Sequence, residues 1–342
     1  MDHIPFISVE ADNNYDLGFK IGKRLAEQIR KRVAGCNEIY REILRKDTAA
    51  LAPTALAFLP ATVTHYPNLV AELLGMSAGA GVPFESLMVL MCEEELLDIH
   101  DLHISKCTSI ALRTTDGILV GHNEDWVNAY ARNGLYVLRT RMGRHRSLSL
   151  SYIGSLAGSS SGLNSSGLCF TANSLSPGRF RYGVPIKFQF RAILDARTLP
   201  EAIRQDLCRS SIAGNTLYGW RNTRILDIED FFGHHEHLYG KKFLIHTNHP
   251  LRRRDRNATN TPHESIVRYE RAKEILGQEE RYTLDGLKEL LADHEAGICS
   301  HPDKHTTWGL TIASVIMNPK ERWMEVCWTN PCRNEYTRYW LW

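Results

Sequence analysis

Between residues 106 and 126 the chain reads KCTSIALRTTDGILVGHNEDW. A thiol, Cys107, stands near its head, and an amide and two carboxylates, Asn123, Glu124 and Asp125, stand near its end. Asp116-Gly117 is a preferred two-residue hairpin loop, because both central residues of such a turn must tolerate positive φ. With that pair as the loop, Cys107 falls opposite Trp126, beside Asp125. With a longer loop, Thr114 to Gly117, it falls opposite Glu124. Opposed residues of an antiparallel pair lie about 5 Å apart, so either register carries the thiol to the Asn-Glu-Asp cluster. A thiol beside such groups is one arrangement that can serve nucleophilic chemistry. The plainer reading is a small apolar side chain at a strand start, with a capped loop beyond it.

Histidines offer a different chemistry. His234, His235, Glu236 and His237 lie in GHHEHLYG, His246 and His249 in HTNH, and His301 and His305 in HPDKH. Spacings of three or four residues can chelate zinc. None of these residues sits on an evident helix and no HExxH occurs, so a metal-dependent hydrolase is the weaker reading, and neither a metal nor a cofactor is expected. A papain-like pair of Cys107 with His249 lacks the local signature of that family around KCTS. A non-catalytic interaction protein would leave Cys107 dispensable.

The elements that must position these groups change character along the chain. Residues 15–46 carry Leu17, Ile21, Leu25, Ile29, Val33, Ile39 and Ile43 at three- and four-residue steps, which predicts one long amphipathic helix. Pro53, Pro60 and Pro67 break up the next stretch. Residues 69–102 read as two helices, the first ending near Gly79–Gly81 and the second opened by Pro83. From Cys107 onward, TSIALRT, GILVGHN, LYVLRTRM, SLSLSYIG and GLCFTANS read as five strands of one antiparallel sheet. Helices are expected over 185–197, 199–209, 264–276 and 283–294, the last with Thr283 as N-cap. Further strands are expected in 217–233 and 241–248, and a closing hairpin over 310–328 around Asn318-Pro319.

Composition bounds the partners. The 342 residues are 43% hydrophobic and carry a formal net charge of +2, which argues against nucleic acid or an anionic membrane as the main partner. No apolar run approaches the ~18 residues of a membrane span, and the acidic start does not read as a targeting segment. The eight cysteines are scattered without a CxxC pair, which suggests reduced thiols and a cytoplasmic setting. The sequons at Asn164 and Asn257 read as chance matches.

CTSIALRTTDGILVGHNEDW resembles the nucleophile hairpin of the acyl-coenzyme A:isopenicillin N acyltransferase family, the C45 peptidases among the N-terminal-nucleophile (Ntn) hydrolases. ELLGMSAGAGVPFESLMVL (72–90) is similar to the family's glycine-rich helix pair. YIGSLAGSSSGLNSSGLCFTANSL (152–175), IHTNH (245–249), SIVRYERAKEIL (265–276) and LADHEAGICSHPD (291–303) follow in the family's order. Residues 107–175 also resemble the β-alanyl-dopamine hydrolase branch, with its His and acidic pair.

The resemblance implies an α/β (α+β) fold, the four-layer αββα sandwich with antiparallel sheets. It implies a helical pro-segment, 1–106, and a catalytic part, 107–342, together forming one globular domain. Self-cleavage of the Lys106–Cys107 bond would leave Cys107 as an N-terminal nucleophile whose own amine is the base, with the two chains remaining associated. Asp125 would orient Cys107 and Asn248 would supply a donor to the oxyanion. The implied activity is that of an amide (non-peptide C–N) hydrolase or acyltransferase on a small-molecule acyl-amide, with β-alanyl amines, acyl-amino acids, peptides and lactam side chains all open, as is homo-oligomerisation. An arginine that some members use near the C-terminus would fall at Arg333. Two positions depart from the family pattern: Lys106 stands where glycine is usual, and Cys92 where asparagine is frequent.

Overall fold

The computed structural model describes residues 4–100, 102, 107–127, 134–175, 180–252, 263–302 and 309–342. After β1 (Phe6–Ala11), the Asn13 side chain accepts the Asp16 N–H and starts α1 (Asn14–Arg24). The helices α2 (Ala26–Leu44), α3 (Thr48–Leu56), α4 (Leu59–His65), α5 (Pro67–Ala80), α6 (Phe84–Met91) and α7 (Glu93–Ile99) follow. The expected long helix over 15–46 is therefore two, broken at Leu25. Tertiary packing explains the break. Gly18 and Gly22 of α1 lie against the backbone of α5, whose Gly75 and Gly79 lie against α1, and a Cβ on Gly18 would fall 1.8 Å from the Glu72 carbonyl oxygen. Two helices can approach that closely only where both lack side chains, so α1 follows the direction of α5 rather than that of α2.

The prolines initiate more than they interrupt. Pro60 and Pro67 sit in the first turns of α4 and α5, where the missing N–H costs no helical bond. Only Pro53 lies inside a helix. Gly81 ends α5 at φ +66°, and Pro83 caps α6 as expected.

The strands are β2 (Thr108–Arg113), β3 (Ile118–Trp126), β4 (Leu135–Met142), β5 (His145–Tyr152), β6 (Ser161–Asn164) and β7 (Leu168–Ser174). After α8 (Ile186–Asp195) and α9 (Leu199–Asp206) come β8 (Gly214–Trp220), β9 (Arg224–Phe231), β10 (His234–Gly240) and β11 (Phe243–His246). The chain closes with α10 (His263–Gln278), α11 (Leu284–Ala292), β12 (Leu310–Asn318), β13 (Trp323–Trp328) and β14 (Tyr336–Trp340). They form two sheets, in the orders β1-β4-β5-β6-β7-β8-β9-β10 and β11-β2-β3-β12-β13-β14. Among the described residues these strands pair antiparallel except β1 with β4. The sheets face each other, α8 covers β5 and β6, and α10 and α11 cover β11 and β3. This is the expected αββα sandwich.

The five strands expected in one sheet are divided: β2 and β3 lie in the six-stranded sheet, and β4, β5 and β7 in the eight-stranded one. An alternating pattern marks a strand but not its partner. Every residue of β3 and β12 is buried, as for central strands covered on one face by a sheet and on the other by helices. The His-rich segment is β10, an exposed, polar edge strand that protects the sheet from further pairing. The Asn164 amide donates to the Leu194 and Ala196 carbonyls in the interior, so that sequon is structural. Asn257 lies outside the described residues.

Candidate active site

Thr108 pairs with Asn123 and Arg113 with Ile118, so the longer hairpin register is the real one and Cys107 points at Glu124. Thr114 decides this. Its N–H and hydroxyl both donate to the Gly117 carbonyl, at 2.8 and 2.9 Å, and its oxygen accepts the Asp116 N–H at 3.2 Å. Those bonds close a four-residue loop that a two-residue turn would forgo.

Three atoms of Cys107 are held. Its backbone N–H donates to Asn248 Oδ1 at 2.8 Å, its carbonyl accepts from Arg268 Nη1 at 2.6 Å, and its thiol takes the Asp125 backbone N–H. The residue is 4% exposed. Arg268, from α10, is fully buried and also donates to Thr108 Oγ1 at 2.8 Å and Asn248 Oδ1 at 2.9 Å. Two N–H donors on one oxygen fix which end of the Asn248 amide faces Cys107. Its Nδ2 donates to the Ser174 carbonyl at 3.1 Å, and its backbone N–H to Ser265 Oγ at 2.8 Å. The Asp125 carboxylate accepts from Thr311 Oγ1 at 2.6 Å.

The other acidic residue anchors a separate network. Glu124 accepts from Tyr152 at 2.6 Å and pairs with His122 Nε2 at 2.9 Å, while His122 Nδ1 meets Ser109 Oγ at 2.9 Å. Burial raises the Glu124 pKa, but the hydrogen bonds from His122, Ser160 and Tyr152 outweigh it and leave a carboxylate. The sulfur of Cys107 and ligand atoms of His122 and Glu124 lie within 4.8 Å of one another. Both His122 nitrogens and both Glu124 oxygens are already engaged, so the trio is built as a hydrogen-bonded wall, not as a metal cage.

Beside the sulfur is a cavity of about 30 Å³, lined by Glu94, Tyr152, Ser160, Asn173 and Lys187 among others. That is room for about one water. Lys187 is buried, donating to Glu93 Oε2 at 3.0 Å and the Leu90 carbonyl at 2.9 Å. Glu94 is half-buried, with no hydrogen bond or ion pair among the described residues, and burial holds its pKa well above the ordinary range. The Cys107 thiol is likewise pushed well above its usual value, first by burial and then by the charges of Glu124, Asp125 and Glu94; only the Asp125 N–H opposes this. In the intact chain the sulfur is therefore a thiol, not a thiolate.

The structure thus brings Cys107, Asp125 and Asn248 together. Lys106 lies outside the described residues. Arg333 is exposed and lies near His301, not Cys107. The buried cation bonded to Cys107 is Arg268. Nothing local marked Arg268, since SIVRYERAKEIL carries three basic residues and only packing selects one. Lys187 had a faint signal, a lone lysine in the apolar run IKFQFRAIL. Cys92 is buried between α6 and α7. His249 turns to Ser265 Oγ at 2.8 Å, and burial, His246 and Arg268 lower its pKa to about 4. It makes no hydrogen bond to Cys107, so the papain-like pair does not form. His246 is buried against Glu229 at 2.9 Å, and His234, His235 and His237 join no metal-ligating group among the described residues.

The family model described as acyl-coenzyme A:6-aminopenicillanic acid acyl-transferase matches residues 112–333, starting within β2 just past Cys107. A Beta-alanyl-dopamine/carcinine hydrolase of Drosophila melanogaster is 25% identical over 211 residues, 56% of this chain and 54% of that protein. The chain thus spans about half the length of that relative. Among solved structures, a mutant of the conjugated bile acid hydrolase from Clostridium perfringens aligns with a TM-score of 0.46 and 11% identity, covering 68% of this chain and 96% of that one. Penicillin V acylase from Agrobacterium tumefaciens aligns with a TM-score of 0.38 and 11% identity, over 64% and 82%.

Proposed function

Because the chain belongs to the acyl-coenzyme A:6-aminopenicillanic acid acyl-transferase family, we propose that it is a self-processing cysteine Ntn enzyme that cleaves or transfers an acyl group at an amide of a small molecule. The observation that carries this is the grip on the backbone of Cys107. A cysteine used only through its side chain needs only its sulfur placed. Here the nitrogen, carbonyl and sulfur are each held by a buried polar group, as a residue requires when its nitrogen becomes the base.

In the processing step the Cys107 sulfur attacks the Lys106 carbonyl, the C–N bond breaks, and the nitrogen takes a proton. Water then hydrolyses the thioester, leaving a Lys106 carboxylate. The freed α-amine has an ordinary pKa near 8, close to that of a thiol near 8.5, and Asn248 Oδ1 is placed to accept a hydrogen bond from it. An ammonium there also supplies the positive charge that the intact thiol lacks among Glu124, Asp125 and Glu94. In turnover the amine takes the thiol proton, the sulfur attacks the substrate carbonyl, and the leaving amine is protonated. Asn248 Nδ2, now on Ser174, is the donor for the oxyanion. Asp125 holds the sulfur through its backbone N–H. Water resolving the acyl-enzyme gives hydrolysis; an amine gives transfer.

The unpaired Glu94 carboxyl beside the sulfur favours an acyl group ending in a primary ammonium. A β-alanyl amine has that form, and the name of the Drosophila relative points the same way. The segments on either side of the cut would stay associated, because β1 pairs with β4 across it.

Intact mass measurement and an acyl-amide panel test the proposal. The wild-type chain should yield residues 1–106 and 107–342, while Cys107→Ala should stay whole and inactive. A wild-type chain that stays whole yet hydrolyses amides would replace the terminal amine with His122, the nearby imidazole paired to Glu124. A whole chain with no activity on any acyl-amide would remove the enzyme reading.

A further inference from the structure

The loop after α11 and the turn between β13 and β14 gather two thiols and two imidazoles, none of which serves the site above. Cys299 Sγ lies 3.7 Å from Cys332 Sγ and 3.6 Å from His301 Nε2, and Cys332 Sγ lies 3.2 Å from the same nitrogen. Ligand atoms of His294, His301 and Cys332 are all within 4.8 Å of one another, and the two imidazole rings stand edge to face with centroids 5.8 Å apart. A tetrahedral Zn²⁺ with sulfur at about 2.3 Å and nitrogen at about 2.0–2.1 Å spaces its ligand atoms roughly 3.3–3.8 Å apart. The separations among Cys299, His301 and Cys332 fall at or close to that range, and His294, grouped with His301 and Cys332 but not with Cys299, must move inward to complete the tetrahedron. The sulfurs are much too far apart for a disulfide, whose S–S bond is about 2.05 Å.

The surroundings suit an ion. Asn330 Nδ2 donates to Cys299 Sγ at 3.5 Å and to the Ser300 carbonyl at 2.8 Å, a contact that steadies a thiolate ligand.

We propose that Cys299, His301 and Cys332, with His294 as fourth ligand, bind a Zn²⁺ ion that clips the loop after α11 to the β13–β14 turn. The clip bears on the nucleophile. Ser300 stands between two ligands, its N–H donates to Thr311 Oγ1 at 2.8 Å, and Thr311 Oγ1 donates to Asp125 at 2.6 Å. Binding displaces the protons of both thiols, so affinity rises with pH.

The test uses the full chain, reduced and stripped of metal, titrated with Co²⁺ and then with Zn²⁺. One equivalent of Co²⁺ should produce thiolate-to-cobalt charge transfer and tetrahedral d–d absorption, both erased by Zn²⁺ and retained in Cys107→Ala. Cys299→Ser and Cys332→Ser should each weaken binding at least about tenfold, as expected on losing a ligand, and His294→Ala should weaken it measurably. No thiolate–cobalt band, a band that survives both serine variants, or one lost in Cys107→Ala would overturn the assignment. A measurement on the wild type guards against variants that do not fold: Zn²⁺ should protect Cys332 from alkylation by iodoacetamide, and equal labelling with and without the ion would overturn the proposal.

Discussion

Replacing Arg268 by Met keeps roughly the volume of the side chain and removes one buried charge. Three acceptors then lose donors: the Cys107 carbonyl at 2.6 Å, Thr108 Oγ1 at 2.8 Å and Asn248 Oδ1 at 2.9 Å. Asp125 loses the cation whose field reaches it. Hydrogen bonds to a charged group are worth about 1.5–3 kcal/mol each, but they do not add, and removing one partner of a buried charged arrangement costs about 3–5 kcal/mol. At roughly 2–4 °C per kcal/mol for a large domain, the melting temperature should fall by about 6–20 °C. Cys107 also loses the group that fixes its carbonyl, and misplacing a reacting group by about 1 Å can cost about 100-fold in rate. Arg268→Lys restores the charge but not the fork, since a point charge cannot serve three acceptors. It should recover stability more than rate. Thermal melting, the time course of intact mass and kcat/KM on an acyl-amide read these separately. A Met variant melting within about 2 °C of wild type would refute the stability argument. One that is less stable but is cut and turns over at wild-type rates would show that Arg268 does not position Cys107.

Three other substitutions have definite outcomes. Gly18→Ala drives a Cβ to 1.8 Å from the Glu72 carbonyl oxygen, so α1 and α5 must separate. The cost should be about 1–3 kcal/mol or more, visible as a lower urea midpoint. Glu94→Gln should raise KM for β-alanyl substrates by about 10-fold or more, the worth of a charged hydrogen bond, with less effect on neutral acyl groups; equal effects on both would remove Glu94 from ammonium recognition. Burial raises Asp206 from 3.8 to about 7, against the hydrogen bonds of Tyr218 and Thr216. A carboxyl with a raised folded pKa stabilises fully below about pH 4, and that stability is lost as pH rises through about 7, on the order of 4 kcal/mol in all. The penalty of Asp206→Asn, measured by denaturant midpoints, should therefore shrink from pH 4 to pH 8; a constant penalty would refute the assignment.

Local rules made some of this legible in the residues alone. Thr283 caps α11 through the Gly286 N–H, Gly81 stops α5, and the period-two runs are strands, because caps, left-handed stops and alternation are settled within a few residues. Less polarised segments escaped notice. β1, β6 and β14 are short, and β10 read as a loop rather than a strand because an edge strand tolerates polar side chains on both faces.

The sequence by itself determined that a thiol heads a hairpin ending in Asn-Glu-Asp, that helices precede it, and that its blocks run in the order of an acyltransferase family. Tertiary structure alone decided which sheet each strand joined. It placed Asn248 on the nitrogen of Cys107 and Arg268 on its carbonyl, across 141 and 161 residues. It also set Cys332 against Cys299, 33 residues away. Contacts at such separations depend on which strands pair and on how layers pack, as where β11 beside β2 brings Asn248 opposite Cys107, and neither leaves a periodic trace near either residue.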